Sequence, residues 1–176
     1  MSGPNLVPVR EALRLDEAAL SAYLTGRLPE LDPADLRILQ FEGGQSNPTY
    51  LLESAGRRYV LRKKRPGKLL PSAHMVEREY RFIAGLADSD VPVPRAYLLC
   101  EDTDVIGTAF YVMDYVEGRV LTDPLLPGLS PAARGATYDE LNRVMAALHK
   151  VDFAAAGLSD MGKTSDYLAR QISRWS

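Results

Sequence analysis

The chain has 176 residues, 46% of them hydrophobic and 25% charged, with a formal net charge of −2. These values fit one folded domain, or a large part of one, and exclude a disordered tail. A slightly acidic chain has no global field to draw it to nucleic acid or an anionic membrane. No apolar run approaches the roughly 20 residues that a membrane span needs. Cys100 is the only cysteine, which excludes an intrachain disulfide and suits a reducing compartment. The N-terminal MSGPNLVPVREALRLD lacks the apolar core of a signal peptide, so a cytoplasmic protein is expected.

In chain order, residues 1–9 hold two prolines and a glycine and read as a loose leader. LDEAALSAYLTGRL then reads as a helix, with Asp16 as N-cap and Leu20, Tyr23, Leu24 and Leu28 on one face. Three short strands follow at LRILQF (36–41), TYLLES (49–54) and RYVLRK (58–63), the last two joined by a tight turn at Ala55-Gly56. SAHMVEREYRFIAGLA carries a helical period through Val76, Glu79, Tyr80, Ile83 and Leu86, with Ser72 placed to cap it. In VPVPRAYLLCE each proline biases its predecessor toward extended geometry. AFYVMDYV (109–116) is the natural partner strand. A proline-rich linker leads to a helix starting at Ser130-Pro131, with an apolar stripe of Leu141, Val144, Met145 and Leu148. The terminal DYLARQISRWS places Leu168, Gln171, Ile172 and Trp175 on one face and ends without a C-cap signal, so the chain reads as truncated.

FEGGQSNPTY (41–50) raises the first chemical question. Backbone N–H groups can cradle phosphate oxygens where residues lack a Cβ; Gly43 and Gly44 give that freedom, and Ser46 and Asn47 add side-chain donors. The same residue types also make an ordinary hairpin loop. The loop matches neither G-x-G-x-x-G nor a P-loop. Downstream, Arg57, Arg58, Arg62, Lys63, Lys64, Arg65 and Lys68 run without an intervening acid. That run is a solvated basic face, a phosphate site or, less in keeping with the acidic chain, an RNA-binding patch.

Five antiparallel strands with one helix after the third is the element order of a protein-kinase small lobe, an α+β arrangement. FEGGQSNPTYLLE, RYVLRKKRPG, REYRFIAGL, VPVPRAY and FYVMDYVEG together resemble the aminoglycoside-phosphotransferase branch of the kinase-like fold. They resemble most the kinase-like domain found beside or fused to acyl-CoA dehydrogenases. The resemblance implies a leader and helix over 1–35, an ATP lid and hinge lobe over 36–116, and a linker with the first large-lobe helices over 117–176. Such folds place a cation on the third strand, paired with a glutamate of the following helix. Arg62 takes that place if YVLR aligns with V-A-I-K, and Lys63 if the register shifts by one; alternation lets only one of them face the nucleotide. Glu79, on the apolar side of its helix, is the expected partner, and Glu77 points elsewhere. The resemblance further implies Met113 beside adenine, with the Asp114 C=O and the Val116 N–H bonding its edge.

The resemblance implies ATP and Mg²⁺ as cofactors and a small hydroxyl-bearing acceptor as partner, with no nucleic acid and no membrane. It also implies a His-Gly-Asp loop and a later aspartate, which would supply the catalytic base and the metal ligands. No His-Gly-Asp occurs here: the two histidines stand in AHM and LHK. Catalytic and metal-binding residues are therefore expected beyond Ser176, and the 176-residue fragment alone is expected to be inactive. A non-catalytic nucleotide-binding module is the alternative.

Overall fold

The computed structural model describes residues 5–42, 47–65, 75–162 and 165–175. Six antiparallel strands form one sheet: β1 (Leu6–Val7), β2 (Arg37–Phe41), β3 (Thr49–Ser54), β4 (Arg57–Lys63), β5 (Ala96–Cys100) and β6 (Phe110–Asp114), in the order β1-β2-β3-β4-β6-β5. Helices α1 (Glu17–Leu24), α2 (Val76–Gly85), α3 (Thr103–Ile106), α4 (Pro131–Lys150) and α5 (Tyr167–Trp175), with short 3-10 turns at Glu11–Leu13 and Pro33–Asp35, complete the described elements.

The expected five-stranded sheet gains a sixth strand from the supposed loose leader. Leu6 and Val7 pair with Phe41 and Gln40, and the Gln40 side-chain carbonyl accepts from the Arg10 backbone N–H at 3.1 Å. Two paired residues are too short for a strand pattern to register in the sequence. Between β3 and β4, Ala55 and Gly56 both adopt positive φ, 49° and 75°. That is the conformation a two-residue hairpin needs to match strand twist, and Asp35 fixes it by accepting from the Ala55 N–H at 3.1 Å.

Alternation along the strands sorts the core onto two faces. On one face α1 lies against the sheet: Leu20, Leu24 and Leu28 pack with Tyr50, Leu52, Tyr59, Leu61, Phe110 and Val112. The Asp16 carboxylate caps α1 by accepting from the Ala19 N–H at 2.9 Å, so Leu20 and Leu24, one turn apart, point inward together. Each such buried side chain contributes about 1.5–3 kcal/mol, which makes this the larger core. On the other face α2 packs Val76, with Tyr80 and Ile83 beside it, on Ala109, Tyr111 and Met113. The helix starts at Val76 with Met75 at the N-cap position and no side-chain cap; the expected cap, Ser72, lies outside the described residues.

The helix α4 begins as expected, with the Ser130 hydroxyl accepting from the Ala133 N–H at 3.2 Å. Its apolar stripe, however, is not buried by the described residues: Leu141, Met145 and Leu148 stay about half exposed. Leu168, Ile172 and Trp175 of α5 are likewise exposed. After α4, the segment 152–162 turns back to α2, where Asp160 receives both terminal nitrogens of Arg81 at 2.9 and 2.6 Å.

Candidate functional site

Strand β4 carries the basic run, and its register decides which cation faces α2. Arg62 pairs with Thr49 on β3 and with Tyr111 on β6, so it stands on the α2 face with Tyr111. Lys63 goes to the α1 face. There it is 4% exposed, its Nζ lies 5.7 Å from the Tyr50 ring, and burial pulls its pKa down from the ordinary lysine value. The register that puts Lys63 on the site face is therefore not the one adopted.

Glu79 enters from the first turn of α2, and Val76 one turn earlier is fully buried against the sheet. That anchoring aims the Glu79 carboxylate at β4. Its Oε2 lies 2.6 Å from Arg62 Nε. The Nε–H is not directed along that line, so the contact is a charge pair and not an aligned hydrogen bond. Both side chains are about one-third exposed, enough for a ligand to reach them. Two neutral groups share the carboxylate: Asn47 Nδ2 donates to Oε1 at 3.0 Å and the Tyr111 hydroxyl donates to Oε2 at 3.2 Å. Burial, with the Glu79 charge next in weight, pushes the Tyr111 phenol well above its ordinary pKa, so it remains a donor throughout the neutral range. Arg62 Nη1 donates to Thr49 Oγ1 at 3.3 Å.

Thr49 also lines a cavity of about 630 Å³, within the range of small-molecule sites. Its wall is largely apolar: Phe41 and Val60 on the sheet side, Met113 and Val116 along the end of β6, and Pro92, Val93 and Pro94 ahead of β5. The Phe41 and Tyr115 rings, both in its wall, stack with centroids 6.4 Å apart and planes at 16°. The Arg58 guanidinium covers Tyr115 at 4.4 Å and pairs with Glu117 at 3.1 Å. The site thus joins a flat apolar slot to a half-buried cation through one residue, Thr49. Such a pairing suits a ligand with an aromatic part and an anionic part.

The structure therefore brings Asn47, Arg62, Glu79, Met113, Asp114 and Val116 around one region. Gly43, Gly44 and Ser46 lie outside the described residues. Asp114 lines the cavity and is held in place: its Oδ1 accepts from the Tyr97 hydroxyl at 2.5 Å and its N–H donates to the Arg95 C=O at 2.9 Å. Sequence reasoning missed Thr49, Tyr111, Phe41 and Tyr115. Tyr111 was within reach, because period-two alternation from Met113 puts it on the same face. The Phe41–Tyr115 stack joins residues distant in sequence and leaves no local signal.

Among the described residues of the run, two more cations meet carboxylates. Arg57 meets Glu30 at 2.5 Å, and Lys64 lies 3.8 Å from Glu77. With Lys63 buried on the opposite face, the described part of the run, residues 57–65, does not make a continuous basic surface. Among the described residues, no three of histidine, cysteine, aspartate and glutamate gather to hold a metal ion. No described helix is long and apolar enough to cross a membrane.

Comparison with known proteins settles the class. The model of the phosphotransferase enzyme family matches residues 37–176. The chain belongs to that family. In this phosphotransferase-family chain the antiparallel sheet with α2 on one face is the kinase-like fold. A crystal structure from Ralstonia eutropha JMP134, provisionally described as an aminoglycoside phosphotransferase, is 50% identical and superimposes with a TM-score of 0.79. The match covers 92% of this chain and 46% of that one. Acyl-CoA dehydrogenase family member 10 of Mus musculus is 47% identical over 98% of the phosphotransferase-family chain. Acyl-CoA dehydrogenase family member 11 of Homo sapiens is 41% identical over a similar span. The chain covers 16% and 22% of the lengths of these two relatives.

Proposed function

We propose that this chain is the nucleotide-binding part of an ATP-dependent phosphotransferase that acts on a hydroxyl of a small molecule. The observation that carries the reading is the Arg62–Glu79 pair at the end of an apolar slot bounded by Met113 and Val116. Bound ATP would supply the γ-phosphoryl group. The slot takes adenine between Val60 and Met113, with the Asp114 C=O and Val116 N–H at its edge. Arg62 meets the phosphates through a planar fork, where protein kinases use a lysine, and Glu79 holds that fork in place. Gly43, Gly44 and Ser46 are proposed to add donors to the phosphates. Lys63 is left out of the site because it faces α1.

The described residues offer no set of ligands for Mg²⁺. We assign those ligands and the base that orients the acceptor to sequence beyond Ser176. The relatives are named acyl-CoA dehydrogenases, and we propose a hydroxyl-bearing acyl acceptor, carried as its CoA thioester. The pairing of the basic run supports a site free of nucleic acid. The buried lone thiol of Cys100 supports a cytoplasmic location.

A non-catalytic nucleotide-binding module is the second reading, favoured by arginine in place of lysine. The deciding experiment incubates the full-length protein with MgATP and hydroxyacyl-CoA thioesters. ADP release and mass-spectrometric detection of a phosphorylated thioester are the readouts, and we expect both. ATP binding without phosphorylation of any hydroxyl acceptor transfers the assignment to the second reading, and failure to bind ATP removes both.

A further inference from the structure

We infer that Asn47 is a positioning residue that sets the Glu79 carboxylate on Arg62 and so aims the phosphate-binding cation. The inference rests on the reading of the site given above. It differs from the sequence expectation, in which Asn47 contributes a donor directly to phosphate.

Four side chains close a ring. Asn47 Nδ2 donates to Glu79 Oε1 at 3.0 Å, and Glu79 Oε2 lies 2.6 Å from Arg62 Nε. Arg62 Nη1 donates to Thr49 Oγ1 at 3.3 Å, and the Thr49 hydroxyl donates to the Asn47 backbone C=O at 3.2 Å. The ring spans the loop two residues before β3, β3 itself, β4 and α2. Asn47 joins the ring through its side-chain amide on one side and its backbone C=O on the other. It is 3% exposed, the most buried of the four.

Burial on that scale is costly for a primary amide unless its groups are bonded. Among the described residues the cost is not fully offset, because Asn47 Oδ1 is buried and finds no hydrogen-bond partner there. An apolar residue would avoid that cost, so the bond to Glu79 is what the asparagine contributes. A carboxylate on a helix side chain has freedom about three torsions, and Arg62 alone does not align with it. Asn47 fixes Oε1, the Tyr111 hydroxyl fixes Oε2, and the carboxylate plane is set by two donors from outside the charge pair. Removing Asn47 leaves the charges in place but releases the carboxylate to rotate, and the Arg62 fork loses its fixed orientation. The effect then falls on the polyphosphate part of the ligand and spares the apolar slot.

The test measures binding of ATP and of adenosine to the full-length protein and its Asn47→Ala and Asn47→Ser variants by calorimetry. Serine is polar but too short to reach Glu79. Both variants are expected to lose ATP affinity by about tenfold, the effect of one charge-assisted hydrogen bond, and to keep adenosine affinity within about twofold. In a Glu79→Ala background, Asn47→Ala is expected to cost less than about twofold more, because residues acting through one contact are not additive. Equal losses for ATP and adenosine, as from a residue that only holds the fold, overturn the inference. So does an unchanged ATP affinity, or full additivity in the double variant. Failure of the wild-type protein to bind ATP is a separate outcome and overturns the functional reading with it.

Discussion

Arg62 Nε and Glu79 Oε2 lie 2.6 Å apart, tying the third long strand of the sheet to the helix that follows it. The pair is only partly buried, so solvent screens part of its attraction. Its importance is therefore orientation more than stability. Glu79→Gln keeps the shape and removes the charge. We expect it to lower the Tm of the full-length protein by no more than a few degrees and to weaken ATP binding about tenfold. Equilibrium binding beside thermal unfolding checks the split between the two.

Lys63 makes the opposite case. Its ammonium is buried and meets no carboxylate among the described residues, and its lowered pKa means that the folded state disfavours the charge. The unfolded chain therefore binds the proton more tightly, so the residue weakens folding at neutral pH and the penalty fades as pH rises toward the ordinary lysine value near 10.4. Lys63→Met is expected to leave ATP affinity within about twofold and to raise stability by about 1 kcal/mol. A large loss of ATP affinity in this variant reverses the register assigned to β4.

Gly85 closes α2 where the segment 152–162 crosses it. A Cβ there meets the Ala156 C=O at 2.7 Å and the Leu158 side chain at 3.1 Å. Alanine gains up to about 1 kcal/mol of helix propensity, whereas overpacking against backbone costs about 1–3 kcal/mol. The second effect wins. Gly85→Ala is expected to lower the Tm of this domain by about 2–6 °C, measured by calorimetry.

Alkaline pH tests the sheet. Burial, with the hydrogen bond to Asp114 second, pushes the Tyr97 phenol up to about 12. Tyr50, Tyr59 and Tyr111 are raised as well, with burial the leading cause for each. A raised folded pKa gives stability that is fully present below the unfolded value near 10 and is lost as pH climbs through the folded value. Stability is expected to fall between about pH 10 and 12, with tyrosinate absorbance appearing together with unfolding. Tyr97→Phe should make that fall shallower.

Much of this was legible in the sequence, and the reason differs by element. Asp16, Leu20 and Leu24 announced α1 because a cap and a helical stripe are local features. The hairpin at Ala55-Gly56 and the strands around it were legible for the same reason. Glu79 was selected over Glu77 by its place beside the apolar stripe, and the structure pairs it with Arg62. The strand at Leu6–Val7 was not legible, because two residues carry no pattern and only pairing with β2 defines them. The stripe on α4 reads as a core face but finds no cover among the described residues. Thr49 and Phe41 escaped because their importance comes from neighbours on other strands.

The central claim is that Arg62 faces the phosphates at the end of an adenine slot. Its most direct test is calorimetric titration of the full-length protein and its Arg62→Met variant with ATP and with adenosine. Arg62→Met is expected to lose at least about tenfold in ATP affinity while adenosine binding stays within about twofold. Equal ATP affinity in the two proteins would contradict it.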